Sequence, residues 1–300
     1  MLTRKDKIPY IGHEECGYVY NFWQDEKNTR GLWRRTTLAE YGQENTKWEQ
    51  LFDVDAYNAK EGSNYAGDSA WCWQAPLGPD YKSALLTLSP GGNDKTHLFE
   101  FDFATKRFKT PMDQGGDGFS IRDAAKMRIV AYDQDTLYVS TPLPEHDEWG
   151  GVTESTYARV LKLWRRGVQR DYKSAETVLE IPRCFMWIDP EVDVWKYANG
   201  AETRRVLIDC RPSFYKHRIV LHDPSANELT RLALPDEIDT PYMSYFDYYL
   251  VTLRDARWGF PADSLLVCYL DDLLEVSRRL QAAKLGAATT AATTTAAATT

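Results

Sequence analysis

The stretch from Gly17 to Asp55 constrains the fold most, because it holds three short apolar runs separated by polar turns. Its first run, Tyr18–Trp23, is aromatic and β-branched, a composition typical of half-buried strands. The second and third runs are Leu32–Thr37 and Trp48–Asp53, and the polar residues 24–31 before the second run end in glycine. Three strands joined by polar turns predict an antiparallel meander. A single meander cannot bury both of its faces, so the sequence predicts that similar units stack on it.

Runs of the same kind recur along the chain at intervals of roughly 50 to 60 residues, which is the scale of propeller blades. Between them, Ala56–Gly67 predicts a short helical turn, and Ser89–Asp94 has strong turn composition. The string Leu32–Arg35 returns as Leu163–Arg166, which indicates an internal repeat. The further predicted strands are Trp71–Trp73, Ala84–Ser89, Leu98–Phe103, Arg107–Phe108, Met127–Tyr132, Thr136–Ser140, Arg159–Trp164, Thr177–Ile181, Phe185–Ile188, Arg204–Ile208, His217–His222, Leu229–Leu234, Tyr242–Leu253 and Ser264–Leu270.

The chain divides into four segments by composition. Residues 1–16 are charged and irregular and are interpreted as a lead-in, whereas residues 17–270 contain the meanders. Residues 271–285 carry apolar side chains at helical spacing, and residues 286–300 are almost entirely alanine and threonine. The predicted fold is therefore all-β: a partial β-propeller of antiparallel meander blades, roughly four to five in number. A short C-terminal helix and a disordered or weakly helical tail complete it.

Composition argues against several classes of partner and site. The formal net charge of −8 argues against nucleic acid and anionic membranes, because both require a basic face on the protein. The five cysteines are scattered and form no CxxC pair, so zinc-ribbon and thioredoxin-type sites are not predicted. The first residues lack the apolar core of a secretion signal, and no run approaches the roughly 18 apolar residues of a membrane span. We therefore expect a soluble, cytoplasmic protein without a cofactor.

Several strings resemble a known protein family. YNFWQDEKNTRGLWRRTTLAEY and WEQLFDVDA closely resemble the first propeller blade of prolyl oligopeptidase-like serine peptidases. The resemblance continues through LLTLSPGG, EFDFAT and YARVLKLWRRG and covers most of residues 8–271. It implies a propeller that covers an active site and admits only short peptides, with acyl transfer through a serine ester and a histidine base. It also implies seven blades, more than the four to five predicted from the residues.

The nucleophile of that family lies on a G-x-S-x-G elbow, where glycines permit a tight strand-to-helix turn. No such pattern occurs in this sequence; the nearest string is Gly67–Trp71, in which tryptophan replaces the second glycine. We therefore expect Ser69 to be an ordinary loop serine, and we assign no catalytic, cofactor-binding or metal-binding residue. In the family the hydrolase domain follows the propeller, so the resemblance implies that this chain lacks it.

Three groups that contain histidine also carry side chains capable of site chemistry. His13–Cys16 places metal-capable side chains together but lacks the histidine spacing of HExxH. His217 and His222 are five residues apart, which places them on opposite faces of one strand and favours structural roles. His97 and His146 are expected at surface or turn positions.

Two arginine pairs and the tryptophans are also candidates. Arg34 with Arg35, and Arg165 with Arg166, offer guanidinium groups that match a substrate carboxylate. Adjacent residues on a strand face opposite ways, so at most one arginine of each pair reaches any one site. Salt bridges on a blade surface are the favoured interpretation, and the tryptophans are expected to pack between blades.

The sequence leaves two functions open. The first is the substrate-gating propeller of a prolyl oligopeptidase-like serine peptidase, without its hydrolase domain and inactive alone; short peptides or a hydrolase domain are its expected partners. The second is a free-standing propeller-like module that binds a peptide or protein through loops such as Thr141–Ser155. Glu145, Asp147 and Glu148 in this loop would attract a basic peptide, although a solvated loop is favoured. Open sheet edges in a partial ring predict self-association.

Overall fold

The computed structural model describes residues 8–67, 74–196, 202–235, 238, 243–245 and 248–297. Within these residues the chain forms five β-sheets in succession, each made of strands that are close in the sequence. In the first, third and fourth sheets the spatial order of four strands is their order in the chain. Such a succession of antiparallel meanders is the architecture of a partial β-propeller, so the predicted fold class is confirmed.

The strands of each sheet are consecutive in the chain. The first sheet contains β1 (His13–Glu15), β2 (Tyr18–Trp23), β3 (Leu32–Thr37) and β4 (Glu49–Asp53). The second contains β5 (Tyr65–Ala66), β6 (Gln74–Pro76), β7 (Ser83–Pro90), β8 (Thr96–Asp102), β9 (Arg107–Phe108) and β10 (Ser120–Ala125). The third contains β11 (Arg128–Asp133), β12 (Thr136–Ser140), β13 (Val160–Arg165) and β14 (Glu176–Glu180). The fourth contains β15 (Trp187–Lys196), β16 (Glu202–Ser213), β17 (Lys216–Asp223) and β18 (Glu228–Arg231). The fifth contains β19 (Met243–Tyr245), β20 (Tyr248–Thr252) and β21 (Leu265–Tyr269).

The described residues contain few helices. The helices are α1 (Leu38–Tyr41), α2 (Val54–Glu61) and α3 (Leu270–Ala297), with a 3₁₀ turn at Met112–Gln114. In the part of the chain that the structure describes, none of them combines the length and apolar character needed to cross a membrane.

The chain divides into two compact units. The first unit consists of Met1–Met127, Asp133–Thr141 and Lys162–Glu176. The second consists of Arg128–Tyr132, Pro142–Leu161 and Thr177–Thr300.

The hairpin between β2 and β3 shows how the polar loop is held. The carboxylate of Asp25 accepts hydrogen bonds from the backbone N–H of Asn28 at 2.8 Å and from the Trp23 indole at 2.9 Å. The bond from Asn28, followed by the one from Trp23, holds the pKa of Asp25 down at about 2. Gly31 ends the loop with a φ of +116°, and a Cβ there would lie 1.9 Å from the Phe22 ring. Only glycine fits this position.

The core of the first unit lies between the first two sheets and is dominated by aromatic rings. Trp33 on β3 is 1% exposed, and its ring centroid lies 5.6 Å from that of Tyr20 and 5.8 Å from that of Phe101. On the second sheet, β7 is buried at every position from Ser83 to Ser89. Since successive strand residues face opposite sides, β7 is covered on both faces. The expected packing of a tryptophan between sheets is thus present at Trp33.

The core of the second unit joins the fourth and fifth sheets to α3. Leu207 and Leu221 from the fourth sheet pack with Tyr249 from β20 and with Leu274 from α3. Tyr249 is fully buried, and burial raises its pKa far above the ordinary value. The helix is also tied to the fourth sheet by Ser277, whose hydroxyl accepts a hydrogen bond from the backbone N–H just after β18. Helix α3 therefore covers one end of the apolar surface that these two sheets share.

Most predicted strands are present, and four have the predicted bounds: β2, β3, β9 and β12. Four strands were not predicted, namely β1, β5, β6 and β10. β1 lies inside the predicted lead-in, residues 1–16, and pairs with β2, so the first sheet begins earlier than expected. The missed strands are short or mostly polar. Their residues do not alternate between apolar and polar, so no sequence pattern marks them as strands. The predicted strand Trp71–Trp73 lies outside the described residues.

The C-terminal helix is longer than the predicted one. It begins at Leu270 and continues past residue 285 to Ala297, so most of the alanine- and threonine-rich segment is helical rather than disordered. Alanine has the highest helix propensity, and extending a helix costs much less than nucleating one. The packed first turns of α3 supply that nucleus.

A buried carboxylate links separate parts of the first unit. The side chain of Glu100 on β8 is fully buried and lies 2.9 Å from Arg166 and 3.3 Å from Lys109. It also accepts hydrogen bonds from the Ser83 hydroxyl at 2.7 Å and from the Phe119 backbone N–H at 3.0 Å. A buried ion pair is tolerated only when its remaining polar atoms are satisfied, and Glu100 meets this condition.

We predict that Glu100→Gln lowers the free energy of unfolding by about 3 kcal/mol, because it leaves Arg166 and Lys109 without their buried counter-charge. Urea unfolding at pH 7 measures this. The matched control is Glu61→Gln, which removes an exposed pair with Lys60 and should cost at most about 0.5 kcal/mol. Equal effects of the two substitutions would contradict a structural role for the buried network.

Candidate functional site

The reactive groups named from the sequence do not form a catalytic or metal centre in the described residues. His13–Glu15 form β1, and Cys16 follows as an exposed free thiol. Ser69 belongs to residues 68–73, which lie outside the described residues. Among residues that the structure describes, no three histidine, cysteine, aspartate or glutamate side chains are grouped so as to hold a metal ion.

His217 and His222 are buried on β17 and have different partners. His217 Nδ1 lies 2.8 Å from Asp209 Oδ2, which also accepts a hydrogen bond from Arg211 Nε at 2.8 Å. His222 Nε2 lies 3.3 Å from the side-chain oxygen of Asn227. The other oxygen of Asp209 is buried without a hydrogen-bond partner among the described residues. Each histidine is therefore engaged in holding the fourth sheet.

The two remaining histidines differ in environment. His146 is exposed in the loop after β12, as predicted, and its Nε2 lies 3.1 Å from Glu180. The prediction for His97 was wrong, because β8 begins at Thr96 and places His97 on a strand. Its ring is half-buried, and its Nδ1 lies 2.7 Å from the Tyr65 hydroxyl.

The acidic loop between β12 and β13 is tied to the fold. One oxygen of Asp147 accepts hydrogen bonds from the backbone N–H groups of Trp149 and Gly151, both at 2.9 Å. The other bonds to Arg159, which also bonds to Glu180. The hydrogen bond from Arg159 is the main cause that holds the pKa of Asp147 at about 2. Because this charge is already paired, the loop offers less attraction to a basic peptide than its composition predicts.

Three of the four candidate arginines form ion pairs, as the favoured interpretation expects. Arg35 lies 2.8 Å from Glu49, and Arg165 lies 2.8 Å from Glu176. Arg166 is the partner of the buried Glu100 carboxylate. These three guanidinium groups are therefore already engaged by carboxylates of the fold.

Arg34 has a different environment from the other three. Its guanidinium carbon lies 4.4 Å from the ring centroid of Trp23 and 4.3 Å from that of Trp48. Its Nε donates a 2.7 Å hydrogen bond to the side chain of Asn21. Burial lowers the pKa of Arg34 to about 10, so it remains charged at neutral pH. Two tryptophans thus enclose an internal cation, a role that the sequence did not indicate.

An acidic row follows one face of β15. Asp189, Glu191 and Asp193 occupy alternate positions, so they point to the same face, and Asp209 on β16 lies opposite Asp189. Desolvation, with the charges of Asp193, Asp189 and Asp209, raises the pKa of Glu191 to about 7. Burial likewise raises the pKa of Asp189. The positive charge of Arg128, whose Nε lies 3.5 Å from Asp189 Oδ1, acts in the opposite direction and lowers it. This face carries a repulsion that increases as its carboxyls ionise.

The fifth sheet has an exposed apolar surface, which we call the apolar outer face. It is formed by Leu265, Val267 and Tyr269 on β21, with Tyr248 paired opposite Tyr269. The three β21 side chains are 60%, 57% and 43% exposed. The two residues between them pack inward on the core of the second unit. A strand that is apolar on both sides is typical of a sheet covered on both faces, so this face is suited to packing against further protein.

The first unit contains an open cavity of ≈ 400 Å³, which we call the aromatic cavity. Tyr57, Tyr65, Phe99 and Phe108 supply its rings, and Arg122 lies at its rim. The other lining residues are His97, Lys109, Thr110, Pro111 and Gln114. No sequence pattern indicates this cavity, because its walls come from five separate elements: α2, β5, β8, β9 and β10.

The consecutive meanders define a β-propeller-type protein. Within the described residues, its candidate sites are the aromatic cavity and the apolar outer face. No protein-family model matches the chain. The chain is 34% identical over 173 residues to the uncharacterized peptidase y4nA of Sinorhizobium fredii, covering 57% of this chain and 22% of that protein. It is 27% identical over 285 residues to the uncharacterized peptidase RP174 of Rickettsia prowazekii, covering 90% of this chain and 36% of that one.

The solved structure of a post-proline cleaving enzyme from Rickettsia typhi is similar to 90% of this chain, with a TM-score of 0.72 and 24% identity. The similarity covers 38% of the Rickettsia chain. The chain thus has two relatives named as peptidases, and it shares its fold with part of a post-proline cleaving enzyme. It spans 22% and 36% of the lengths of the two curated relatives.

The acidic row on β15 predicts a pH-dependent effect of Glu191→Gln. Because the folded pKa is raised, the stabilising contribution of the protonated group is fully present below about pH 4.5 and is lost as the pH rises through about 7. Glutamine resembles the protonated form, so we expect the variant to melt about 2 °C above the wild type at pH 8 and at the same temperature as the wild type at about pH 4. Thermal unfolding measures both. Glu145→Gln in the exposed loop is the control, and an equal shift at both pH values for Glu191→Gln would contradict the assignment.

Proposed function

We propose that this chain serves as the substrate-gating propeller portion of a prolyl oligopeptidase-like serine peptidase and has no peptidase activity alone. The observation that carries the proposal is the Rickettsia typhi match, which takes in 90% of this chain but only 38% of that enzyme. The sequence contains no G-x-S-x-G string, which supports a catalytic centre supplied by other residues. A propeller in this role excludes large substrates, and short peptides are the class admitted.

The test is a chimera in which this chain replaces the matching segment of the Rickettsia typhi enzyme. We expect the chimera to hydrolyse a short prolyl-peptide reporter and to leave casein intact, because gating depends on size rather than on sequence. The parent enzyme is one control, and the parent with the segment deleted is the other. A folded chimera that cleaves casein as readily as the reporter would reject gating.

The 300-residue chain alone, assayed with the same reporter, should give no turnover above buffer. Turnover that disappears on Ser69→Ala would overturn the proposed inactivity. We also propose a cytoplasmic location, which the free thiols of Cys16, Cys184, Cys210 and Cys268 support, because disulfides are rare there. Fractionation of the source cells with an antibody against the chain tests the location.

The apolar outer face supports a second part of the proposal, namely association with further protein. Among the described strands, β21 pairs only with β20, and exposed apolar side chains on such an edge strand favour pairing and packing with another chain. We propose that the isolated chain self-associates through this face and that the rest of a peptidase covers it when present. A free-standing binding module that uses the Thr141–Ser155 loop has less support, because Asp147 and His146 are paired within the fold.

We predict that Val267→Lys converts the isolated chain from an associated state to a monomer, because it places a charge in the centre of the apolar outer face. Size-exclusion chromatography with light scattering measures the mass. Val168→Lys is the matched control, because this valine is 70% exposed in the turn after β13 and should leave association unchanged. A wild-type chain that is monomeric at high concentration would contradict the prediction.

A further inference from the structure

The aromatic cavity has preorganised walls. The rings of Phe99 and Phe108 stack with centroids 4.6 Å apart, and Tyr57 meets Phe108 edge-on at 5.3 Å. Tyr65 meets Phe99 edge-on at 5.9 Å. Rings held by one another in this way present fixed apolar surface with little conformational entropy left to lose on binding. The cavity volume lies within the range of about 300–1,000 Å³ that small-ligand pockets have.

Most polar groups around the cavity are already engaged. His97 bonds to Tyr65, and Lys109 pairs with Glu100 at 3.3 Å and with Asp117 at 2.7 Å. Burial raises the pKa of Tyr65 and lowers that of His97, so both rings are neutral at pH 7. These groups therefore add no unpaired charge to the cavity.

Arg122 is the exception. It is exposed at the rim and makes no hydrogen bond or ion pair with another residue that the structure describes. The register of β10 shifts between Ile121 and Ala125, and such irregularities re-aim side chains. The nearby acidic residues are paired elsewhere, Asp123 with Lys173 at 3.5 Å and Glu61 with Lys60 at 3.1 Å. The guanidinium is thus available to a ligand.

We propose that the aromatic cavity binds a planar apolar group that carries a carboxylate, with the ring against the aromatic walls and the carboxylate on Arg122. A guanidinium and a carboxylate form two parallel hydrogen bonds, which fixes the ligand in one orientation. The same chemistry is present in a free aromatic acid and in a peptide that ends in an aromatic residue. The site is separate from gating and does not depend on it.

The test is calorimetric titration of the full chain with N-acetyl-phenylalanine and with its C-terminal amide. We expect saturable binding of the acid and at least about tenfold weaker binding of the amide, because the amide lacks the charge that Arg122 recognises. This comparison uses only the wild-type protein. Absence of saturable binding by the acid, or equal affinity for acid and amide, would overturn the proposal.

Variants locate the site. Arg122→Gln should weaken binding of the acid at least about tenfold while leaving the melting temperature unchanged, because the side chain is exposed. Arg107→Gln is the matched control: Arg107 precedes Phe108 on β9, points to the opposite side of the strand and should not affect binding. Binding that survives Arg122→Gln would reject the assigned cation.

A longer probe identifies the source of the ligand. Acetyl-Gly-Gly-Phe carries the same terminal group as N-acetyl-phenylalanine on a peptide chain. Tighter binding of the tripeptide assigns the site to peptide C-termini, and equal or weaker binding assigns it to free aromatic acids. Both results support the site, whereas binding of acetyl-Gly-Gly-Phe that is no tighter than binding of its C-terminal amide would contradict it.

Discussion

The constraint on which this structure depends is that an antiparallel sheet with apolar side chains on both faces must be covered on both. β7 meets the constraint, since it is buried at every position from Ser83 to Ser89. The first two sheets share one aromatic core, and the fourth and fifth sheets share another with α3. At β21 the requirement is unmet on one side, where alternate apolar residues remain exposed. The same rule therefore explains the cores and the apolar outer face.

Charge within the first unit follows from the same stacking. A sheet covered on both faces places some strand residues where water does not reach, and a carboxylate there must find partners from other strands. Glu100 does so with Arg166, which is 66 residues away in the chain. The acidic row on β15 is a contrasting case, because its like charges are adjacent and burial raises the pKa of Asp189. The buried Glu100 carboxylate holds strands of the first unit together, whereas the acidic row on β15 lowers the free energy of unfolding as the pH rises.

The sequence predicted the fold well where the pattern is local. β2 and β3 were given by an aromatic, β-branched run and a polar loop ending in glycine, and the structure has these bounds. β10 was missed because its pairing with β8 is decided by the partner strand rather than by apolar alternation. His97 was misplaced because β8 begins two residues before its apolar run. The aromatic cavity was beyond prediction, since its walls meet only through tertiary packing.

The aromatic cavity and the apolar outer face differ in what they ask of a partner, and this separates a ligand site from an assembly surface. The outer face presents apolar side chains of an edge strand, which are stabilised simply by being covered. The cavity adds Arg122, a cation without an ion pair among the described residues, so the proposed site would discriminate by charge as well as by shape. The proposed gating function would require further peptidase residues to pack on the propeller, and the outer face suits that need. Gating does not require the cavity, so ligand binding there should persist in the chain on its own.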